Sequence, residues 1–166
     1  MSTGTIKIVF VHGSGFVSET IERVEEFKAT VKEGFVPSHC GIIVDDHFRE
    51  AIANGFVESD VNKYPAEIVR VYELDVSSME AVRAKFQELS GREYGYRALF
   101  NGFLYTIAGI ETNGDGEATG DCSEDDTRII RADRPDFISG IPADDVTPLI
   151  LMDNIIPIAR LVHLNA

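Results

Sequence analysis

Hydrophobic and polar positions divide the chain into alternating strand-like and helix-like stretches. Thr5 to His12 (Thr-Ile-Lys-Ile-Val-Phe-Val-His) is β-branched and mostly apolar and predicts a strand. Gly13-Ser14-Gly15 ends it. Ser18 is placed to cap a helix in which Ile21, Val24, Phe27 and Val31 recur at helical spacing, closed by Gly34. A second strand is expected over His39 to Val44, a turn at Asp45-Asp46, and a third strand over Phe48 to Ala53. Gly55 to Pro65, with Asn, Ser, Asp and Pro, reads as an irregular loop. Glu67 to Val76 predicts another strand. Ser77-Ser78-Met79-Glu80 reads as a capping box that opens a helix with the stripe Met79, Val82, Phe86 and Leu89. Arg97 to Ala108 is apolar nearly all round, which predicts a buried helix. Glu111 to Asp126 is a polar interruption, acidic and glycine-bearing, with no basic residue. A short helix over Cys122 to Ala132 follows, then turns after Pro135 and an apolar tail to Leu164. Strands and helices come mixed, with no repeat and no linker. The expected class is α+β, in one domain over residues 1–166.

Charge narrows the range of partners. The formal net charge is −13, and no Lys/Arg cluster occurs, so neither a nucleic acid nor an anionic membrane surface is the expected partner. No apolar run approaches the ~20 residues of a membrane span. Met1 leads directly into a strand without a basic leader segment, and the two cysteines, Cys40 and Cys122, show no framework spacing. A reduced, cytoplasmic protein with two free thiols is the expectation. Oligomeric state is not legible.

Cys122 carries the strongest chemical signal. It opens a helix after Gly120-Asp121, where orphan N–H groups and the positive dipole end favour a thiolate. Its acidic neighbours push the other way. A buried structural cysteine is the competing reading, but the polar surroundings argue against it. His39, at the mouth of a strand, is the candidate base; as a lone histidine it would more often be structural. Strand alternation turns Cys40 to the opposite face and into the core. If Asp45-Asp46 is a two-residue hairpin turn, Val44 faces His47 and Gly41 faces Glu50. His39 and Glu50 then share a face, and Glu50 can orient the imidazole. A solvated glutamate on an edge strand is the alternative. Tyr94 could place a hydroxyl near the thiol, or simply pack.

Two motifs mislead. Val11-His12-Gly13-Ser14-Gly15 looks like the oxyanion loop of α/β-hydrolases, but no Gly-x-Ser-x-Gly elbow accompanies it. Glu111 to Gly116 imitates the start of an EF-hand loop, whose closing position would fall on Cys122 rather than an acid. The Cys and His residues lack paired zinc-ligand spacing. No cofactor or metal is expected.

The order of these motifs resembles the circularly permuted papain-like cysteine hydrolases, the permuted branch of the NlpC superfamily, related to the lecithin retinol acyltransferases. The residues that carry the resemblance are Ser18 through Ile21, Ser38-His39-Cys40-Gly41-Ile42, Glu50-Ala51, Tyr94 and Cys122-Ser123-Glu124, in that order. Val146-Thr147-Pro148-Leu149 resembles a segment that often follows. The chain differs in having Asp125-Asp126 where members usually continue with apolar residues, and Gly95 where an aspartate often follows the tyrosine. The resemblance implies a small antiparallel sheet packed against helices. It implies Cys122 as nucleophile, His39 as base, Glu50 as orienting residue and Tyr94 beside the thiol. Cys122, His39 and Glu50 would meet across the seam between helix and sheet. The implied activity is hydrolysis of an amide (peptide or peptidoglycan-type) or a lipid-like ester through a thioester. An acyltransferase of the same fold and a non-catalytic binding protein are the alternatives.

Overall fold

The computed structural model describes residues 2–12, 35–52, 54–94 and 119–163, with the side chains of Tyr94 and Thr119 outside that set. The helices expected over Ser18 to Val31 and Arg97 to Ala108 lie outside the described residues, as does most of the acidic stretch.

The architecture is α+β. Six antiparallel strands form one sheet: β1 (Gly4–Val11), β2 (His39–Val44), β3 (His47–Ile52), β4 (Gly55–Glu58), β5 (Val69–Val76) and β8 (Arg160–Val162), in the spatial order β4-β3-β2-β1-β5-β8. β6 (Glu93–Tyr94) and β7 (Thr119–Gly120) form a short parallel pair, with Tyr94 opposite Gly120. Three helices, α1 (Met79–Glu88), α2 (Cys122–Asp133) and α3 (Pro148–Ile155), contribute to one core with the sheet.

Strand parity sorts the sheet into two faces. Ile6, Ile8, Phe10, Cys40, Ile42, Val44 and Leu74 face the helices and pack with Val82, Phe86, Ile129, Ile130 and Leu151. Val9, Val11, Phe48, Val69 and Val71 form a second buried cluster on the other face. Burial on both faces explains why β1 reads as a continuous apolar run rather than an alternation.

The β2–β3 turn forms as the sequence suggests. Asp45 and Asp46 both take positive φ (50° and 65°), the requirement of a two-residue type I′ turn. Val44 pairs with His47, Ile43 with Phe48 and Ile42 with Arg49, which places Glu50 on the same face as His39. Gly41 is needed between them, because a Cβ there would meet the Phe48 ring and the Arg49 carbonyl at 2.6 and 2.7 Å.

Three local expectations are corrected. Gly55 to Pro65 is not irregular throughout: residues 55–58 form β4, hydrogen-bonded to β3, and Val61–Lys63 is a 3-10 turn capped by Asp60. Backbone pairing to β3 overrides the local turn composition. The cap of α1 is Ser78, whose hydroxyl accepts from Ala81 N at 3.3 Å, so no capping box to Glu80 forms. Ser77 instead gives its N–H and hydroxyl to Asp133, the last residue of α2, and so ties the two helices together. The tail is not featureless either. Thr147 caps α3, Pro148 stands at its start, and β8 adds an edge strand to β5.

Candidate active site

α2 begins where Asp121 can cap it. The Asp121 carboxylate accepts from Glu124 N at 2.8 Å and from the Ser123 hydroxyl at 3.0 Å. Cys122 is therefore the first helical residue, and its side chain is turned inward, with 4% of its surface exposed. The Cys122 thiol interacts with two side chains of β2, the Cys40 thiol and the His39 imidazole. The hydrogen bond from Cys40, and then the charge and hydrogen bond of His39, hold Cys122 well below the ordinary thiol value although burial opposes this.

His39 is held from its other side. Its Nε2 lies 2.9 Å from Glu50 Oε2, which leaves Nδ1 for the thiol. Burial would lower the imidazole pKa, but the Cys122 thiolate first and Glu50 second raise it to about 10. Together these shifts describe an imidazolium–thiolate pair.

Glu50 is fully buried on β3, not solvated on an edge, because β4 covers that side. Besides His39 it takes the Tyr64 hydroxyl at 2.6 Å and the Lys63 ammonium. Burial favours the neutral acid, but hydrogen bonds from His39, Lys63, Ser59 and Tyr64 outweigh it and hold Glu50 at about 2. The Tyr64 ring also lies against the His39 ring, with centroids 6.3 Å apart.

The structure thus brings Cys122, His39 and Glu50 into one connected set, though not by the route expected. Glu50 lies on the sheet face opposite α2, with Phe48 and Tyr64. The residue in the helix–sheet seam is Cys40, a core residue at 0% exposure. His39 serves both sides because it is the first residue of β2, at the rim of the sheet. Strand alternation does separate Cys40 from His39, and that same alternation carries Cys40 to the thiol. Tyr94 pairs through its backbone with Gly120, two residues before Cys122. Its side chain, and the role expected of its hydroxyl, lie outside the described residues.

The acidic residues on either side of Cys122 are inside the protein. Asp121, Glu124, Asp125 and Asp126 are each at most 4% exposed. Arg92 is their counterion: its guanidinium donates to Glu124 at 2.9 Å and to Asp125 at 2.6 Å, and Arg128 adds a second bond to Glu124 at 2.8 Å. Burial still pushes Asp125 up to about 7 despite Arg92. Gly120 makes room for this pair, since a Cβ there would collide with both Arg92 and Asp125. Asp126 is different. It is fully buried, and among the described residues neither carboxyl oxygen has a hydrogen-bond partner. Burial, then the Cys122 charge, raises its pKa well above the ordinary range.

Sequence reasoning missed Lys63, Tyr64, Arg92 and Asp126 as members of this site. Asp126 was accessible in principle, because it lies four residues after Cys122 and so on the same helix face. Lys63 and Tyr64 carry no such signal; they reach Glu50 through the 3-10 turn after β4.

Among the described residues no group of three or more His, Cys, Asp or Glu side chains is arranged to hold a metal ion. Among them, too, no helix is long and apolar enough to cross a membrane. Neither a protein-family model nor a curated protein matches the chain.

Proposed function

We propose that this protein is a cysteine-dependent hydrolase of the circularly permuted papain-like type, cleaving an amide (peptide or peptidoglycan-type) or an ester through a thioester. The observation that carries the reading is His39, which joins the Cys122 thiol to the buried Glu50 carboxylate, with Nε2 at 2.9 Å from Oε2. The order of the sequence motifs supports it independently.

Each residue then has a chemical task. The Cys122 thiolate attacks the carbonyl carbon. The His39 imidazolium gives its proton to the departing amine or alcohol, and the neutral ring then takes a proton from the water that opens the thioester. Glu50 keeps Nε2 engaged, so that Nδ1 faces the thiol, and stabilises the charged ring. Tyr64 and Lys63 hold Glu50 in turn and are positioning residues. The Cys122 backbone N–H at the start of α2 is a candidate oxyanion donor; such donors contribute ~3 kcal/mol in other enzymes. Two neighbouring thiols without a bond between them suit a reducing compartment such as the cytoplasm.

The test is a screen of acyl-thiol-forming probes, activated esters and aminoacyl amides, with the protein's intact mass followed during turnover. A thioester on Cys122, absent in Cys122→Ser and strongly slowed in His39→Ala, is the expected result. Partition of the acyl group between water and an added acceptor separates hydrolase from acyltransferase. No adduct with any probe, from a protein whose Cys122 reacts as an ordinary thiol, would point to a non-catalytic binding protein.

A further inference from the structure

The end of β1 is tied on both sides at the sheet rim that carries His39. Ser38 N–H donates to the Val11 carbonyl at 2.9 Å, and His12 N–H to the Ile68 carbonyl at 2.9 Å. The His12 ring places Nδ1 2.8 Å from the Val36 carbonyl and lies against Phe35, with centroids 6.0 Å apart. These bonds hold three chain segments in one fixed rim. Strand register then runs a row of residues across three strands: Cys40 pairs with Phe10, and Phe10 with Arg70. Paired residues share a face, so Arg70 stands on the sheet face that α2 packs against. Phe10, Phe35, Cys40 and Cys122 belong to one packed cluster on that face.

Arg70 is the residue of this rim that the fold leaves unexplained. The chain holds 28 acidic residues against 15 basic ones. Arg83, Arg92, Arg128, Arg134 and Arg160 each pair with a carboxylate. Arg70 is half-buried, yet among the described residues no carboxylate pairs with it. Its contacts are the Val69 carbonyl, 3.0 Å from Nη1, and the Phe35 ring, whose centroid is 4.8 Å from Cζ. Stacking on Phe35 fixes the plane of the guanidinium and shields one of its faces from water. Among the described residues no acceptor meets the Nε–Nη2 edge. Two parallel N–H groups on one edge form the fork that a carboxylate fills.

We propose that Arg70, seated on Phe35, is a carboxylate-binding subsite beside the reacting centre, and that the protein acts on acyl chains that end in a second, anionic carboxylate. The substrate class rests on the hydrolytic reading of Cys122 and His39. The subsite rests on the rim geometry alone.

Strand spacing sets the length of that chain. Neighbouring strands lie ~4.8 Å apart, so Arg70 stands two strands, ~10 Å, from Cys40 and the adjoining His39. The row between them is Phe10, which offers no polar partner, so charged contacts fall only at the two ends of the span. A carbonyl at one end and a carboxylate at the other match that layout. The net charge of −13 repels anions in general. Admission of an anionic substrate therefore depends on one placed cation rather than on the field of the whole protein.

The test compares the mono-nitrophenyl ester of suberic acid, whose extended chain spans about that distance, with nitrophenyl octanoate, which has the same chain length and no carboxylate. Wild type, Arg70→Met and Arg70→Lys are assayed side by side. The expected wild-type kcat/KM is at least ~10-fold higher for the suberate ester, through a lower KM. Arg70→Met should bring the ratio to about one, and Arg70→Lys should restore part of it, because lysine keeps the charge and loses the fork. A wild-type ratio of about one, or a ratio that Arg70→Met leaves unchanged, would overturn the proposal. Suberate itself, titrated into wild type and Arg70→Met and followed by backbone amide NMR, reads the subsite without turnover. Shifts at Phe35 to Ser38 and at Val69 to Val71 are expected in wild type and should be lost in Arg70→Met. Their absence in wild type would overturn the proposal. Suberate bound at Arg70 in a protein that neither ester acylates would sink the hydrolytic reading and leave the subsite standing.

Discussion

Replacing Glu50 by Gln removes one negative charge and almost none of the side chain's volume. In the native site that charge is fully buried and takes donors from His39 at 2.9 Å, Tyr64 at 2.6 Å and Lys63. An amide oxygen can replace one of these interactions, but its NH2 group must then face another donor. Hydrogen bonds to charged groups contribute about 1.5–3 kcal/mol, against about 1 kcal/mol for neutral ones. The loss at His39 is therefore ~1–2 kcal/mol, or about one pKa unit at ~1.4 kcal/mol per unit. His39 stands at about 10, raised by Cys122 first and Glu50 second, so E50Q should lower it without returning it to its ordinary value of 6.5. The assay is an NMR titration of the His39 ring in wild type and E50Q, with circular dichroism to confirm folding. Thioester formation should slow at least ~10-fold, the kinetic counterpart of ~1.4 kcal/mol. A folded E50Q protein whose His39 titrates unchanged would refute the assigned role of Glu50.

The other predictions concern the groups around this centre. Tyr64→Phe removes the 2.6 Å hydrogen bond to Glu50 and should slow thioester formation by ~10-fold while leaving the stability within ~2 kcal/mol, read by stopped-flow and urea melts. Arg92→Met leaves Glu124 and Asp125 buried without their shared counterion, and should cost ~3–5 kcal/mol in denaturant unfolding. Asp126→Asn removes a carboxyl with a raised pKa; it should stabilise the fold by ~1–3 kcal/mol near pH 7.5, with the gain vanishing near pH 4 in thermal melts. Glu50 acts in the opposite sense. Its folded value of about 2 lies below the ordinary 4.5, so its contribution, about 3 kcal/mol, is complete above pH 4.5 and lost as pH falls through about 2. Acid melts of wild type and E50Q should converge across that window.

The sequence reveals the site's parity better than its depth. Asp45-Asp46 sets the β2–β3 register, and that register alone puts His39 and Glu50 on one face. Which face meets α2 is a tertiary fact, fixed by where Ile129 and Ile130 pack, and local pattern does not carry it. The acidic run after Cys122 looks solvated because its partner, Arg92, is far away in sequence. β4 is hidden behind Asn54 and Gly55, whose turn chemistry is real but ends after one residue of strand geometry has begun. Thr147-Pro148, a cap followed by proline, starts α3, and the reading of an apolar tail passed over it.

The most direct test of the central claim is the pH dependence of Cys122 alkylation, with the modified site read by mass spectrometry and Cys40 as internal control. An imidazolium–thiolate pair predicts that Cys122 reacts fast well below the ordinary thiol value of ~8.5, that Cys40 stays slow, and that His39→Ala abolishes the difference. A Cys122 rate that rises only around ~8.5 and ignores His39 would contradict it.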